Sequence, residues 1–98
     1  MADTTIAAII LEQLGGPRFL AMTGAKHLTA LPSGLMFSLP FPSAPNKIRI
    51  TLTPLDTYTI EAFRVHGVSV KNRGICTDIY ADQLRRTFTR LTGLETNL

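Results

Sequence analysis

The chain has 98 residues, 45% of them apolar and 17% charged, which suits one globular domain with a core of its own and leaves no room for a second. Ten Lys and Arg against seven Asp and Glu give a formal charge of +3, a balance that permits a nucleic-acid partner without requiring one. One cysteine, Cys76, excludes an internal disulfide framework and fits a reducing, cytoplasmic setting. The longest apolar run, Ile6 to Leu11, falls far short of the ~18 residues of a membrane span, and the acidic Asp3 ahead of it is not what a signal peptide carries.

Thr4 or Thr5 is placed to cap a first helix in which Ile6, Ile9, Ile10 and Leu14 share a face, and Gly15-Gly16 ends it. Pro17 suits the first position of a second helical turn carrying Phe19, Leu20 and Met22, closed by Gly24. The two together read as one broken helix packed on something flat. From Lys26 the pattern turns to short strands. His27 to Leu31 and Leu35 to Leu39 flank Pro32-Ser33-Gly34 as a first hairpin, and Pro40, Pro42 and Pro45 then stiffen a connection through Ser43 and Asn46.

Lys47 to Glu61 is the most regular segment. Alternation puts Ile48, Ile50, Leu52, Tyr58 and Ile60 on one face and Lys47, Arg49, Thr51, Thr53, Thr59 and Glu61 on the other, across a Pro54-Leu55-Asp56-Thr57 turn. The period breaks at Ala62-Phe63, which predicts a bulge or a segment buried on both faces. His66-Gly67 predicts a turn into Val68 to Lys71, and Asn72-Arg73-Gly74 a second turn before Ile75-Cys76, where Cys76 reads as a small apolar residue at a strand end. Asp78 then caps a final helix in which Tyr80, Leu84, Phe88 and Leu91 recur on one face and Gly93 closes the end.

No catalytic or metal-binding constellation stands out. His27 and His66 lie far apart with no Cys or carboxylate at ligand spacing, His27 starting a strand and His66 sitting in a turn. Cys76, His66 and Asp78 supply the residue types of a nucleophile, base and orienting acid, but closeness in sequence does not place them together. Thr23-Gly24-Ala25-Lys26 fails the spacing of a phosphate-binding loop, and the Gly15-Gly16-Pro17 turn offers no more to an anion than any helix break does. What remains is a polar sheet face. Lys47 and Arg49 project from it, and Arg64, Lys71 and Arg73 on neighbouring segments are expected to join them as a candidate partner or nucleic-acid surface. The same residues also suit a solvated sheet face, where Thr fits the pleat and Lys discourages edge pairing; Phe63 is the one aromatic placed for base stacking. The order helix, strands, helix is that of the double-stranded RNA-binding domain, yet Asp78 and Asp82 stand where that fold carries phosphate-binding cations.

Arg18 to Lys26 with its Thr23-Gly24-Ala25-Lys26 ending, Lys47 to Tyr58, Tyr80 to Arg85 and Thr92-Gly93-Leu94 resemble the corresponding strings of a family of small uncharacterised proteins from tailed phages and prophages. The likeness spans most of the chain, with Cys76-Thr77-Asp78-Ile79 as a departure. It implies action in the cytoplasm of a bacterial host in an accessory role, and no residue-level function.

The expected fold is α+β, one domain over residues 1–98: an N-terminal broken helix and a C-terminal amphipathic helix on one face of a four- or five-stranded antiparallel meander. Ile6, Ile10, Phe19, Ile48, Ile50, Leu52, Ile60, Leu84, Phe88 and Leu91 are the expected core. The expected function is non-enzymatic, without cofactor, metal or membrane: binding of a host or phage protein, or alternatively of nucleic acid through the basic residues above. A sheet with an uncovered edge can also pair with a second copy about a two-fold axis.

Overall fold

The amphipathic first segment folds as a helix interrupted at its two glycines. In the computed structural model, which describes residues 4–40 and 45–93, α1 spans Thr5–Leu14 and α2 spans Pro17–Thr23, with Pro17 in the first turn of α2 and Gly24 left-handed at its end. Thr4 occupies the cap position of α1 without a side-chain hydrogen bond; its carbonyl accepts from the Ala8 N–H. Five strands follow as a meander in which each pairs antiparallel with the next: β1 (Lys26–Leu31), β2 (Gly34–Ser38), β3 (Lys47–Leu52), β4 (Tyr58–His66) and β5 (Ser69–Ile79). A 3₁₀ turn over Ala81–Gln83 leads into α3 (Leu84–Thr92), and left-handed Gly93 ends it. This is an α+β fold, with five strands where four or five were expected. Pro42 and Ser43 of the proline-rich connection lie outside the described residues.

Alternation decides which face is buried. Leu35, Phe37, Ile48, Ile50, Tyr58, Ile60 and Ala62 point to the helices, where they meet Ala7, Ile10 and Leu14 of α1, Phe19 of α2, and Leu84 and Phe88 of α3. Phe19 stands edge-on to both Phe37 and Phe88, with ring centroids 5.5 and 5.0 Å apart, an arrangement the ring quadrupoles favour. Of the expected core, Ile6, Leu52 and Leu91 are only partly buried and pack at its margin. The opposite face, carrying Met36, Lys47, Arg49, Thr51, Thr59, Glu61 and Phe63, has none of the described helices over it.

Two expectations about the last third are corrected. Asn72-Arg73-Gly74 does not turn the chain: β5 runs on beside the long β4, and the register slips between Ala62 and Phe63, so that Ala62 faces Gly74 while Phe63 faces Asn72 and Arg73 is the extra residue. The predicted bulge is therefore present at Ala62-Phe63, with its additional residue on the partner strand. Asp78 is not a helix cap. It lies within β5 at a second slip, with a φ of 57°, and Tyr80 beyond it is 60% exposed instead of lining the core face of α3. The start of the helical segment is held instead by the Gln83 side chain, whose Oε1 accepts from the Tyr80 N–H.

Candidate functional site

The open face holds two of the five basic residues named from sequence. Arg49 and Glu61 are opposite each other on β3 and β4, and Arg49 donates from Nε and Nη2 to the two Glu61 oxygens at 2.9 Å each. These bonds hold the Arg49 guanidinium protonated more firmly than usual. Its carbon also lies 5.4 Å from the centre of the Phe63 ring, within cation–π range. Arg49 is thus committed to its neighbours. Lys47, opposite Phe63, has no ion-pair partner among the described residues.

The other three do not join them. On β4, Arg64 alternates with Phe63 and so shares its side of the sheet with Ala62, the side that the helices cover nearer the core. Lys71 is directly opposite Arg64, and Ser69 opposite His66, so these follow to the same side. Arg73 follows because of the bulge: an extra residue re-aims the side chains that flank it. The result is an open cleft of about 330 Å³ lined by Arg64, His66, Ser69, Lys71 and Arg73. Three cations stand in it with no carboxylate among the lining residues, and none has an ion-pair partner among the described residues. The expected single patch of five is therefore two surfaces, one on each side of the sheet, and the cleft adds His66 and Ser69, which sequence had assigned to a turn and a strand.

Local interactions fix the cleft's position. Gly74 stands where α3 meets β5: a Cβ there would come 2.9 Å from Leu91 Cδ2, so the small residue lets the helix close over the strands at that level. Past Phe63, the last residue of β4 paired with β3, the strands β4 and β5 continue as a short two-stranded ribbon. Its root is clamped by Asn46, whose Nδ2 donates to the Val65 carbonyl at 2.9 Å and whose Oδ1 accepts from the Val65 N–H at 2.8 Å. A side-chain amide here replaces the next residue of β3. His66 and Ser69 form the last pair of the ribbon, joined by Gly67 and Val68. Gly67 has a φ of 60° whereas Val68 is not in the left-handed region, the pattern of a type II′ hairpin turn.

The Cys76, His66 and Asp78 set is not assembled. Cys76 pairs with Ile60, seven residues along β5 from the partner of His66, a separation of roughly 20 Å at the usual rise of a strand. Among the described residues no group of three His, Cys, Asp or Glu is close enough to hold a metal ion, and no helix is long and apolar enough to cross a membrane. Comparison with family models, with curated proteins and with solved structures found no significant match to this chain.

Proposed function

We propose that this protein binds nucleic acid, holding backbone phosphates in the cationic cleft of the β4–β5 ribbon. The observation that carries the reading is the pair Arg64 and Lys71. Like charges directly opposite on neighbouring strands weaken a sheet, and here the pair stands beside Arg73 with no acid in the cleft to offset it. A phosphate between them turns that repulsion into attraction. The role proposed is non-enzymatic, and the resemblance to tailed-phage and prophage proteins supports an accessory role inside a bacterial host.

Fluorescence anisotropy with a labelled duplex tests this. Three neutralised phosphates predict a slope of log K against log[salt] of about −2.7, a loss of roughly 40-fold between 50 and 200 mM salt. Arg64→Glu with Lys71→Glu is expected to abolish binding, and Lys47→Glu to leave the slope unchanged. Absence of binding at 20 mM salt, or equal losses from Lys47→Glu and from the double variant, overturns the reading.

A second reading, a protein partner on the uncovered face, has one observation in its favour. Val70 and Ile75 of β5 are 62% and 56% exposed, on the side that carries Phe63 and half-buried Val65. Sedimentation tests its simplest form, a second copy of the chain: Ile75→Glu is expected to abolish self-association, and a monomer at several hundred micromolar wild-type protein refutes that form.

A further inference from the structure

Val68 is the most exposed large apolar side chain described, at 104% of its reference area, and it sits at the apex of the ribbon. Apexes of two-residue turns are ordinarily filled by Gly, Asn, Asp or Ser, which solvate well. A β-branched apolar residue there gains nothing from the fold. Behind it along the ribbon stand the cleft cations. Lys71 lies three residues behind Val68 on β5, with Arg64 level with it on β4, so at the usual rise these two cations stand about 10 Å behind the tip, with Arg73 farther back.

These dimensions select one kind of nucleic acid. The major groove of B-form DNA is about 12 Å wide and 8.5 Å deep and admits a two-stranded ribbon, whose strands are about 4.8 Å apart. A tip resting on the groove floor then leaves cations about 10 Å behind it, level with the phosphates at the rim. The minor groove, about 6 Å wide, is too narrow for a ribbon with side chains, and the major groove of A-form RNA is too narrow for side chains to read. At the floor of the B-form major groove the apolar group on offer is the C5-methyl of thymine.

Resting on the nucleic-acid reading above, we propose that the ribbon enters the major groove of B-form DNA and that Val68 contacts a thymine methyl, while Arg64 and Lys71 hold the phosphates at the groove rim. The ligand is thus duplex DNA containing A·T pairs. Val68→Ser changes a fully exposed residue and is expected to leave the urea midpoint unaltered.

The test is a cycle of four affinities, wild type and Val68→Ser, each against an A·T-rich duplex carrying thymine or deoxyuridine at every T position. Losing the methyl is expected to weaken wild-type binding about fourfold, the worth of one buried CH₂-sized group at ~0.8 kcal/mol and 1.4 kcal/mol per decade. Val68→Ser is expected to lose at least as much on thymine and to show no discrimination between the two duplexes. The duplex RNA of the same sequence is expected to bind at least tenfold more weakly than DNA. Equal affinity for RNA and DNA, or thymine discrimination that survives in Val68→Ser, overturns the inference while leaving salt-dependent binding through the cleft intact. So does tighter binding to vesicles rich in phosphatidylserine that is lost in Val68→Ser, because the apex would then be meeting lipid. Failure to bind any nucleic acid overturns the parent reading as well.

Discussion

Replacing Lys71 by Glu is expected to make the protein more stable and less able to bind. Lys71 and Arg64 are opposite one another, and Cβ atoms in such a pair are ~4.5–5.5 Å apart. Two long side chains can turn their charges outward to a separation of about 8 Å, at which like charges in water repel by ~0.5 kcal/mol before screening. Reversing one charge replaces that repulsion with attraction of similar size, so the total change is about 1 kcal/mol at low salt, the upper end for cross-strand pairs. For a domain of this length that is a rise of ~4–8 °C in Tm. Screening shortens the Debye length to about 3 Å at 1 M salt, so most of the gain is expected to vanish there. The assay is thermal unfolding followed by circular dichroism at 10 mM and 1 M salt, alongside DNA affinity. A fall in Tm at low salt, or a gain of equal size at both salts, would refute the electrostatic argument for the cleft. A gain with undiminished affinity would refute its functional use.

Other expectations follow from the packing. Phe88→Ala empties a fully buried site against Phe19 and Phe37 and is expected to cost ~3–5 kcal/mol in urea titration; Leu84→Ala, also fully buried, is expected to cost ~2–5 kcal/mol, and a loss under about half a kilocalorie would contradict the packing of α3. Asn46→Ala removes both bonds to Val65, with an expected cost of ~1–3 kcal/mol and faster amide exchange from Val65 outward; unchanged exchange would show that the clamp is idle. Tyr58 donates to Gln13 Oε1 at 2.7 Å, and burial, with the Asp56 charge behind it, raises its phenol above the ordinary range. A raised folded pKa means that this contribution is complete below the unfolded value of ~10 and is lost as pH climbs through the folded value. Stability measured at pH 9 and 11 is therefore expected to fall less in Tyr58→Phe than in wild type; equal falls would dismiss Tyr58 as the source.

The regular part of this chain was legible where one periodicity acted alone. Lys47 to Leu52 and Tyr58 to Ala62 alternate on either side of their turn, and their inner residues are buried as the pattern predicts, with Leu52 at the margin. Gly15-Gly16, Gly24 and Gly93 marked helix ends for a local reason, the chain's need for backbone conformations that other residues resist. Beyond Ala62 the logic became tertiary. Asn72-Arg73-Gly74 has turn composition, but eleven residues of β5 lie along β4, and ladder hydrogen bonds outweigh a local turn preference. Tyr80 stands at helical spacing from Leu84, yet the segment up to Ile79 is drawn into the sheet, so the helix starts later. The division of the basic residues was partly readable: Arg64 is separated from Glu61 by an odd number of positions, and simple alternation already sets it opposite to the Arg49 face. The side of Lys71 follows from the two-residue Gly67-Val68 turn, which sets it opposite Arg64; Arg73 was not readable, because its side depends on which residue of β5 the bulge leaves unpaired.

The two register slips in β5 have a consequence for solubility. Its outer edge pairs with no further strand among the described residues, and an edge of eleven residues bearing exposed Val70 and Ile75 is the kind of template on which chains stack into fibrils. The extra residue at Arg73 and the left-handed Asp78 divide that edge into Ser69 to Asn72 and Gly74 to Thr77. Each piece is shorter than the six or seven residues of a steric zipper, and the bulges put a charge at each break. The same Arg73 that faces the cleft thus also keeps the edge from recruiting copies of itself, so removing the bulge by deleting Arg73 would be felt first as aggregation.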